Sequence, residues 1–427
     1  MAKSVPKKKA APGRKPATAG PSSREQASTG PPPPPLLRLS EIVGQEAAVA
    51  RLRKATSAGR LPHALLFCGP DGVGKQTTAR ALAAALLCSK PGGGPGQGPL
   101  DPCGACHDCR MVQAGMHPDF NLIYKELAAY HPDPEVRNRV MQEMSIDVIR
   151  HFLIAPASSA PARGRAKVFV VQDAELMSSD SQNCLLKTLE EPPPRVTLIL
   201  LAERPEELLP TTISRCSLVR FGPLPAAFVQ GKLAAAGIAE GEARFWAAQT
   251  EGSVGEALRL AKEAMVEADE KRGLPAEYLY AAKRKLVDGI AALGGGDAGL
   301  ADLLQKVMEK LAASAVERAK AASGAELSAK LAARQGVAIV LKLLASAIRD
   351  ALHVRCAADA GQSPPPLVHA DQPEAIHAIA RRFRPEQFAE ILEQLSEFER
   401  LLWRNVSAKI IWDNVVITLS SAAPLRT

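Results

Sequence analysis

The chain has 427 residues, more than one ordinary hydrophobic core organises, so we predict two or three domains. Hydrophobic residues make up 46% and aromatic residues only 4%, a composition that favours a soluble, helix-rich protein over an all-β sandwich. The formal charge is +8, but residues 1–35 carry seven basic side chains against one acid and hold +6 of it. The charge of the remaining chain is therefore too small to predict nucleic-acid binding by the folded part.

The first 35 residues show no hydrophobic periodicity and end in five prolines at 31–35. Such a segment cannot bury enough apolar surface to offset its ordering entropy, so 1–35 is predicted to be a disordered, basic, Pro-rich tail. We expect no membrane span, because no run of 18 apolar residues occurs, and no secretory signal, because no apolar segment follows the basic start. Eight cysteines, three of them within seven positions, predict a cytoplasmic protein rather than a secreted disulfide framework.

Short apolar runs alternate with helical patterns from residue 36 to 221. This alternation predicts an α/β domain with a parallel sheet and helices on both faces. The predicted strands are 63–68, 167–171 and 196–201, and the clearest predicted helices are 77–87 and 181–190. Strand signals nearly disappear afterwards, so 222–270 is predicted to be a small helical unit and 271–427 a set of longer helices.

The segment from Gly69 to Lys75, Gly-Pro-Asp-Gly-Val-Gly-Lys, follows a predicted strand and begins a predicted helix. This is the context of a phosphate-binding loop, in which backbone N–H groups converge on phosphate oxygens and the Lys reaches the terminal phosphates. A glycine-rich strand-to-helix turn is the weaker interpretation, because the Lys and its context both match. The predicted nucleotide-binding residues here are Gly69, Pro70, Gly72, Val73, Gly74, Lys75, Gln76 and Thr77.

The same site departs from a hydrolytic one at three positions. The residue after Lys75 should carry a magnesium-binding hydroxyl but is Gln76, and Thr77 is expected to point about 100° away on a helix. A later strand is followed by Gln172 and Asp173, where an Asp-Glu pair would support magnesium and polarise water. We therefore interpret Asp173 as a degraded catalytic position, and we expect a pocket that can hold nucleotide but does not hydrolyse it efficiently.

Three cysteines, Cys103, Cys106 and Cys109, have C-x₂-C-x₂-C spacing, and Cys88 lies 15 positions before the first. Four thiolates can close a tetrahedral structural zinc site with no open position for catalysis. His107 is an alternative fourth ligand, and reduced cysteines in a flexible loop are the alternative to metal binding. We predict zinc at the four cysteines, because a reducing cytosol would rarely tolerate so many exposed thiols together.

The string Thr212-Ile-Ser-Arg-Cys216 is predicted to follow the last strand of the sheet, after the loop 205–210. A lone Arg at such a place is normally a solvated or salt-bridged surface residue. In a ring-forming nucleotidase, an Arg just past this strand can reach a neighbour's γ-phosphate, where its planar fork stabilises the transferring charge. Arg215 is therefore a candidate arginine finger that acts in trans.

These motifs together resemble the bacterial clamp-loader subunits of the AAA+ class, over about residues 36–260. The resemblance implies a RecA-like AAA+ domain over 36–221 with a zinc module at 88–109, a helical lid over 222–270 and an all-α collar for oligomerisation over 271–427. It also implies that Val43 contacts nucleotide and that Arg215 acts in trans. The segments that carry it are Ile42-Val-Gly-Gln-Glu46, Gly69 to Lys75, the four cysteines, Asn183-Cys-Leu-Leu-Lys-Thr-Leu-Glu-Glu-Pro-Pro193 and Leu209-Pro-Thr-Thr-Ile-Ser-Arg-Cys216.

Two types of subunit in this family share these motifs: the ATP-hydrolysing gamma/tau type and the delta-prime type. Gln76, Gln172 and Asp173 favour the delta-prime type, because the resemblance implies that it often loses its own ATP site while keeping Ser-Arg-Cys. Gly255 agrees, since it stands where the active type carries a nucleotide-sensing Arg. The isolated chain is then expected not to be an efficient ATPase.

The resemblance implies a role in loading the sliding clamp onto primed DNA for DNA polymerase III. The implied partners are gamma/tau and delta subunits, with the clamp and the primer-template DNA reached through the complex. The implied cofactor is structural zinc, and ATP or ADP can occupy the degraded site. Two alternatives stay open: an active gamma/tau-like clamp-loader ATPase, and a purely structural scaffold in which Arg215 is idle.

Overall fold

The structure is a computed structural model that describes residues 36–91, 101–137, 143–163, 165–266, 277–292, 298–323, 329–403 and 406–421. Residues 1–35, predicted to be a disordered tail, lie outside the described residues.

A five-stranded parallel sheet organises the first domain, with strand order β2-β3-β4-β1-β5. The three inner strands are buried along their whole length and are apolar except at Lys167 and Thr197, as expected for a parallel sheet covered by helices on both faces. The predicted α/β class is confirmed. The strands are β1 (Ala64–Cys68), β2 (Phe120–Ile123), β3 (Lys167–Val171), β4 (Val196–Ala202) and β5 (Ser217–Arg220).

The two edge strands, β2 and β5, were not predicted. Each has four residues and is only partly buried, so its hydrophobic pattern is too short to stand out from a loop. Strand β5 begins two residues after Arg215. The prediction that Arg215 follows the last strand of the sheet is therefore wrong, because Arg215 lies on the connection between β4 and β5.

The helices of this domain cover the two faces of the sheet. Helix α2 begins at Lys75, two residues before the predicted start, and buries an alanine-rich surface against the sheet because its small side chains permit a close approach. The helices are α1 (Glu46–Ser57), α2 (Lys75–Leu87), α3 (His107–Gln113), α4 (Pro134–Arg137), α5 (Ile146–Ile149), a π-helical turn (Arg150–Ile154), α6 (Ala155–Ala157), α7 (Ser179–Glu190) and α8 (Pro210–Ser214).

Helices dominate the rest of the chain. One antiparallel ribbon of two short strands was not predicted, since three and two residues are too few to show a period. The elements are α9 (Ala226–Ala235), α10 (Glu240–Gln249), α11 (Val254–Ala261), β6 (Ala264–Val266), β7 (Glu277–Tyr278), α12 (Leu279–Ala291), α13 (Ala298–Ser323), α14 (Ala329–Asp359), α15 (Pro373–Arg382), α16 (Pro385–Trp403) and α17 (Ala408–Ser421).

The long helix α14 is the centre of the C-terminal helices and packs against α13, α15 and α16. Helix α16 has an apolar face that buries Phe388, Ile391 and Leu395 in the shared core. Within the described residues, 331–359 is long and apolar enough to cross a membrane by composition, but 56% of the most apolar window is buried inside the protein. A core helix of a bundle meets the same criterion.

A buried ion pair joins the helices after the sheet domain to one another. The Lys283 side chain is fully buried, and its Nζ lies 2.8 and 2.7 Å from the two carboxylate oxygens of Asp371. The same ammonium lies 4.1 Å from the centre of the Phe245 ring on α10. Burial lowers the pKa of Lys283 to about 8, although Asp371 opposes that shift. Helix α10, helix α12 and the segment after α14 therefore share one polar anchor.

Candidate functional site

The loop between β1 and α2 has a backbone that only glycine adopts easily. Gly69, Gly72 and Gly74 have φ values of 147°, 69° and 102°, all in the left-handed range. A Cβ atom on Gly69 would lie 2.2 Å from the carbonyl oxygen of Phe221. The loop therefore combines the conformation and the close packing of a phosphate-binding loop at the start of a helix.

Lys75 is the first residue of α2 and is 8% exposed. Its ammonium donates hydrogen bonds to the carbonyl oxygens of Gly69 at 2.6 Å and Pro70 at 2.7 Å. Burial lowers the pKa of Lys75, while the nearby carboxylates of Asp71 and Glu203 raise it. The loop's own carbonyl groups therefore engage two of the three N–H groups of this ammonium.

A cavity of about 420 Å³ lies beside this loop. Gln76 and Thr77 both line it, although Thr77 was expected to point away, because the cavity wraps around the first turn of α2. Gly69 and Pro70 lie outside this lining, as does Arg215 among the described residues. The predicted nucleotide-site residues that line it are Val43, Gly72, Val73, Gly74, Lys75, Gln76, Thr77, Gln172 and Asp173.

Asp173 and Gln172 occupy the end of β3 at the cavity wall. Asp173 has a φ of 45°, an uncommon conformation for a residue with a side chain. Burial raises the pKa of Asp173, and the neighbouring carboxylates of Glu175 and Asp71 raise it further. Gln172 brings no charge, so of these two positions only Asp173 offers a carboxylate to a magnesium ion.

Gln45 was missed as a site residue, although it lies in the quoted Ile-Val-Gly-Gln-Glu string. Its side chain is 4% exposed and donates to the carbonyl oxygens of Val73 at 3.2 Å and Gly222 at 2.7 Å. Its Oε1 accepts a hydrogen bond from the Gly222 N–H at 3.1 Å. Gln45 thus ties the phosphate loop to the chain that leaves β5, a link between distant segments that local patterns do not reveal.

The start of α11 contacts the phosphate loop through its backbone. The N–H of Gly255 donates to the carbonyl oxygen of Gly72 at 3.2 Å, and Ser253 caps α11 by accepting from the Glu256 N–H at 3.1 Å. A Cβ on Gly72 would lie 2.3 Å from the Ser253 Oγ, and a Cβ on Gly255 would lie 2.9 Å from the Gly72 Cα. No side chain fits at position 255 while this contact is made.

The four predicted cysteines form one cluster, with all four Sγ atoms within 4.8 Å of one another. The Sγ atoms of Cys88 and Cys106 are 3.8 Å apart, and those of Cys103 and Cys109 are 4.0 Å apart. Zinc–sulfur bonds of 2.3 Å in a tetrahedron place the sulfurs about 3.8 Å apart. The cluster therefore fits a four-coordinate metal ion, and Cys88 rather than His107 belongs to it.

The backbone around the cluster supports these sulfurs. The N–H groups of Cys106 and Cys109 donate to the Sγ atoms of Cys103 and Cys106, at 3.3 and 3.4 Å. Arg165 donates to the carbonyl oxygen of Cys88 and also to that of Ser89. Four thiolates would fill a tetrahedral site, so it offers no open position to a substrate.

Arg215 lies at the end of α8, and its side chain is 33% exposed. Its Nε donates to Glu190 Oε1 at 2.6 Å, its Nη2 contacts the same oxygen, and its Nη1 donates to the Thr211 carbonyl oxygen at 2.9 Å. The guanidinium is therefore held at the protein surface by Glu190 and Thr211, and Arg215 is not among the residues that line the cavity beside the glycine-rich loop.

Comparisons with known proteins find matches to the part of the chain that contains the glycine-rich loop, the cysteine cluster and Arg215. Residues 44–225 match the family model described as "DNA polymerase III, delta subunit". The chain is 36% identical over 177 residues to DNA polymerase III subunit tau of Escherichia coli, covering 42% of this chain and 24% of that protein. It is 30% identical over 204 residues to DNA polymerase III subunit delta' of Bacillus subtilis, covering 48% of this chain and 55% of that protein.

The matched region thus spans about a quarter of tau and about half of delta'. Among solved structures, a DNA polymerase III gamma subunit-related protein of Thermotoga maritima aligns at a TM-score of 0.42 and 16% identity. That alignment covers 87% of this chain and 99% of the other.

The contact between Gly72 and Gly255 predicts whether a substitution at Gly255 raises or lowers the stability of the protein. Alanine in place of glycine usually stabilises a helix, by up to about 1 kcal/mol. We expect Gly255→Ala to lower the thermal unfolding temperature instead, because the added methyl would lie 2.9 Å from the Gly72 Cα and push α11 off the loop. The matched control is Gly241→Ala in α10, where nothing lies within 4 Å and no loss is expected. Equal effects of the two substitutions in a melting experiment would contradict this contact.

Proposed function

We propose that this chain, whose residues 44–225 belong to the clamp-loader AAA+ family, is a delta-prime-like subunit of a DNA polymerase III clamp loader. In this proposal it helps the ATP-driven loading of the sliding clamp onto primed DNA, and its own ATP site does not drive hydrolysis. Gamma/tau and delta subunits are its proposed partners, in a cytoplasmic complex.

One observation carries the proposal: a phosphate loop without its supporting chemistry coexists with an intact, oriented surface arginine. Gln76 offers an amide where a magnesium-binding hydroxyl would be needed, and Gln172 with Asp173 stands where an Asp-Glu pair would be needed. Position 255 lies so close to Gly72 that it has no room for a side chain that could sense nucleotide. Arg215 does not line this pocket, and its partly exposed side chain leaves it accessible to a neighbour.

Sequence identity does not distinguish the two subunit types, since tau and delta' match this chain at comparable identity. The residues at the site favour the delta-prime type, because hydrolysis by a tau-like subunit would need the magnesium hydroxyl and an acidic pair at the end of β3. We therefore assign Arg215 the role of an arginine finger that acts on a neighbour's nucleotide.

We also propose the division of the chain. Residues 36–221 would form the AAA+ domain, 222–270 the lid and 271–427 the collar that joins the subunit to its ring. Helices α9 to α11 lie in the proposed lid, and α12 to α17 lie in the proposed collar.

The metal proposed for the four-cysteine cluster is zinc. The donors are all sulfur, their separations suit Zn–S bonds, and zinc is the usual metal of closed four-thiolate structural sites. Zinc would supply a cross-link between the end of α2 and the start of α3. Neither a nucleotide nor a substrate would bind to it.

We expect the purified protein to hold one zinc ion, and Cys106→Ser to release it and lower the unfolding temperature. The physical reason is that metal binding is coupled to folding of the surrounding loop. Metal analysis and thermal melting measure both effects, with Cys356→Ser, an exposed cysteine outside the cluster, as the control. A zinc-free preparation of undiminished thermal stability would argue against this site.

We expect Arg215→Ala to leave folding and complex assembly intact while it lowers DNA-stimulated ATP hydrolysis and clamp loading by the reconstituted complex. An arginine finger contributes a factor of about 10³–10⁵ at its own site, but only one interface of a ring would lose it, so the bulk loss is partial. Arg215→Lys should restore little, because an ammonium lacks the planar fork.

The matched control is Arg204→Ala, since Arg204 lies on the same β4–β5 connection and is 58% exposed. This variant should load clamps like the wild type. Wild-type loading by Arg215→Ala would instead identify a structural scaffold. ATP turnover by the isolated chain that Lys75→Ala abolishes would identify a gamma/tau-like ATPase.

A further inference from the structure

Two cross-braces fix α8 to α7 and thereby set the position of Arg215. At the start of α8, Gln182 Oε1 accepts hydrogen bonds from the Leu209 N–H at 2.8 Å and the Thr212 hydroxyl at 3.3 Å. At its end, Glu190 contacts Arg215. The first brace is buried, because Gln182 is only 3% exposed, whereas the second lies at the surface.

The end of α7 that carries Glu190 is itself held in place. The ring nitrogen Nε2 of His63, at the start of β1, lies 2.8 Å from the carbonyl oxygen of Leu189. Glu190 is the last residue of α7, so its backbone is fixed relative to the sheet. The carboxylate of Glu190 therefore offers a fixed point from which the flexible Arg215 side chain can be oriented.

The contacts of Arg215 use three of its five N–H groups. The Nε–H and one Nη2–H face Glu190, and one Nη1–H faces the Thr211 carbonyl oxygen. One N–H on each Nη atom then has no partner among the described residues. Two N–H donors at the end of a planar fork match two oxygens of a phosphate, which is the geometry that arginine uses for phosphate recognition.

The ion pair of Arg215 and Glu190 contributes little to the stability of the fold. The side chains of Arg215 and Glu190 are 33% and 48% exposed, and exposed ion pairs typically stabilise a fold by only about 0–1 kcal/mol. An arginine side chain that reaches across an interface would otherwise sample many rotamers, and holding it in one rotamer before the partner arrives lowers the entropic cost of the contact.

We propose that Glu190 is a positioning residue for Arg215: it holds the guanidinium in the orientation in which the two remaining N–H groups face a neighbouring subunit's phosphate. This inference rests on the proposed trans-acting role of Arg215 and adds a second residue to it. Glu190 does not touch the phosphate and acts only through Arg215.

The test uses the reconstituted complex in which the ATP site that faces Arg215 is the only competent one. Glu190→Ala should lower the kcat of that site by roughly tenfold, since a misplaced catalytic group loses orientation, while the KM for ATP and complex assembly stay unchanged. Glu190→Gln keeps an oxygen that accepts from Nε, so its loss should be smaller. The thermal unfolding temperature should not change in either variant.

Glu191→Ala is the matched control, because Glu191 is the adjacent acid and the contacts of Arg215 are with Glu190 and Thr211. It should behave like the wild type. The double variant Glu190→Ala with Arg215→Ala should be no slower than Arg215→Ala alone, since Glu190 acts through Arg215.

Three results would overturn the inference: wild-type kcat for Glu190→Ala, a faster rate that identifies Glu190 as an inhibitory latch, or additive losses in the double variant. If Arg215→Ala alone is impaired while Glu190→Ala is normal, only the positioning role fails. If Arg215→Ala is also normal, the proposed function fails with it.

Discussion

The backbone hydrogen bond between Gly255 and Gly72 constrains both the nucleotide site and the arrangement of the helices beyond the sheet domain. It brings the start of α11 onto the phosphate loop at a distance that only two glycines permit, as the 2.3 and 2.9 Å approaches of added Cβ atoms demonstrate. The same contact removes the room for a nucleotide-sensing side chain. Beyond it, the buried pair of Lys283 and Asp371 joins α10 to the C-terminal helices. The contact of α11 with the loop is a direct one between backbone atoms.

Two cations of the sheet domain, Lys75 and Arg215, differ in how deeply they are buried and in which hydrogen-bond donors they keep. Lys75 is buried, and two of its three N–H groups donate to the carbonyl oxygens of its own loop. Arg215 is partly exposed and keeps donors that face outward. Both cations thus keep N–H donors for a phosphate, but those of Arg215 lie on a side chain that is partly exposed. The exposure of Arg215 therefore supports the proposal that the chain contributes chemistry to a neighbour's site.

The central part of the fold and most of the candidate site could be predicted because they depend on local sequence. Strands β3 and β4 are mostly apolar runs, the phosphate loop is a contiguous string, and three of the clustered cysteines lie within seven positions. The edge strands β2 and β5 could not be predicted, because four partly buried residues give no clear period. That omission also misplaced Arg215 relative to the sheet.

The contacts that orient the site could not be predicted, for a different reason. Gln45 meets Gly222 across 177 positions, and Glu190 meets Arg215 across 25. Such pairs depend on tertiary packing, and no spacing rule within a helix or strand indicates them. The exclusion of a side chain at position 255 likewise becomes visible only when Gly72 is seen against it.

The most direct measurement compares two substitutions in one assay, clamp loading by the complete reconstituted complex. Lys75→Ala removes the cation that would bind phosphate in this chain's own pocket, and Arg215→Ala removes the cation proposed to act on the neighbour's nucleotide. The account predicts near-normal loading with Lys75→Ala and impaired loading with Arg215→Ala, at equal complex assembly. Impaired loading with Lys75→Ala and normal loading with Arg215→Ala would contradict it, because the chain would then act through its own nucleotide.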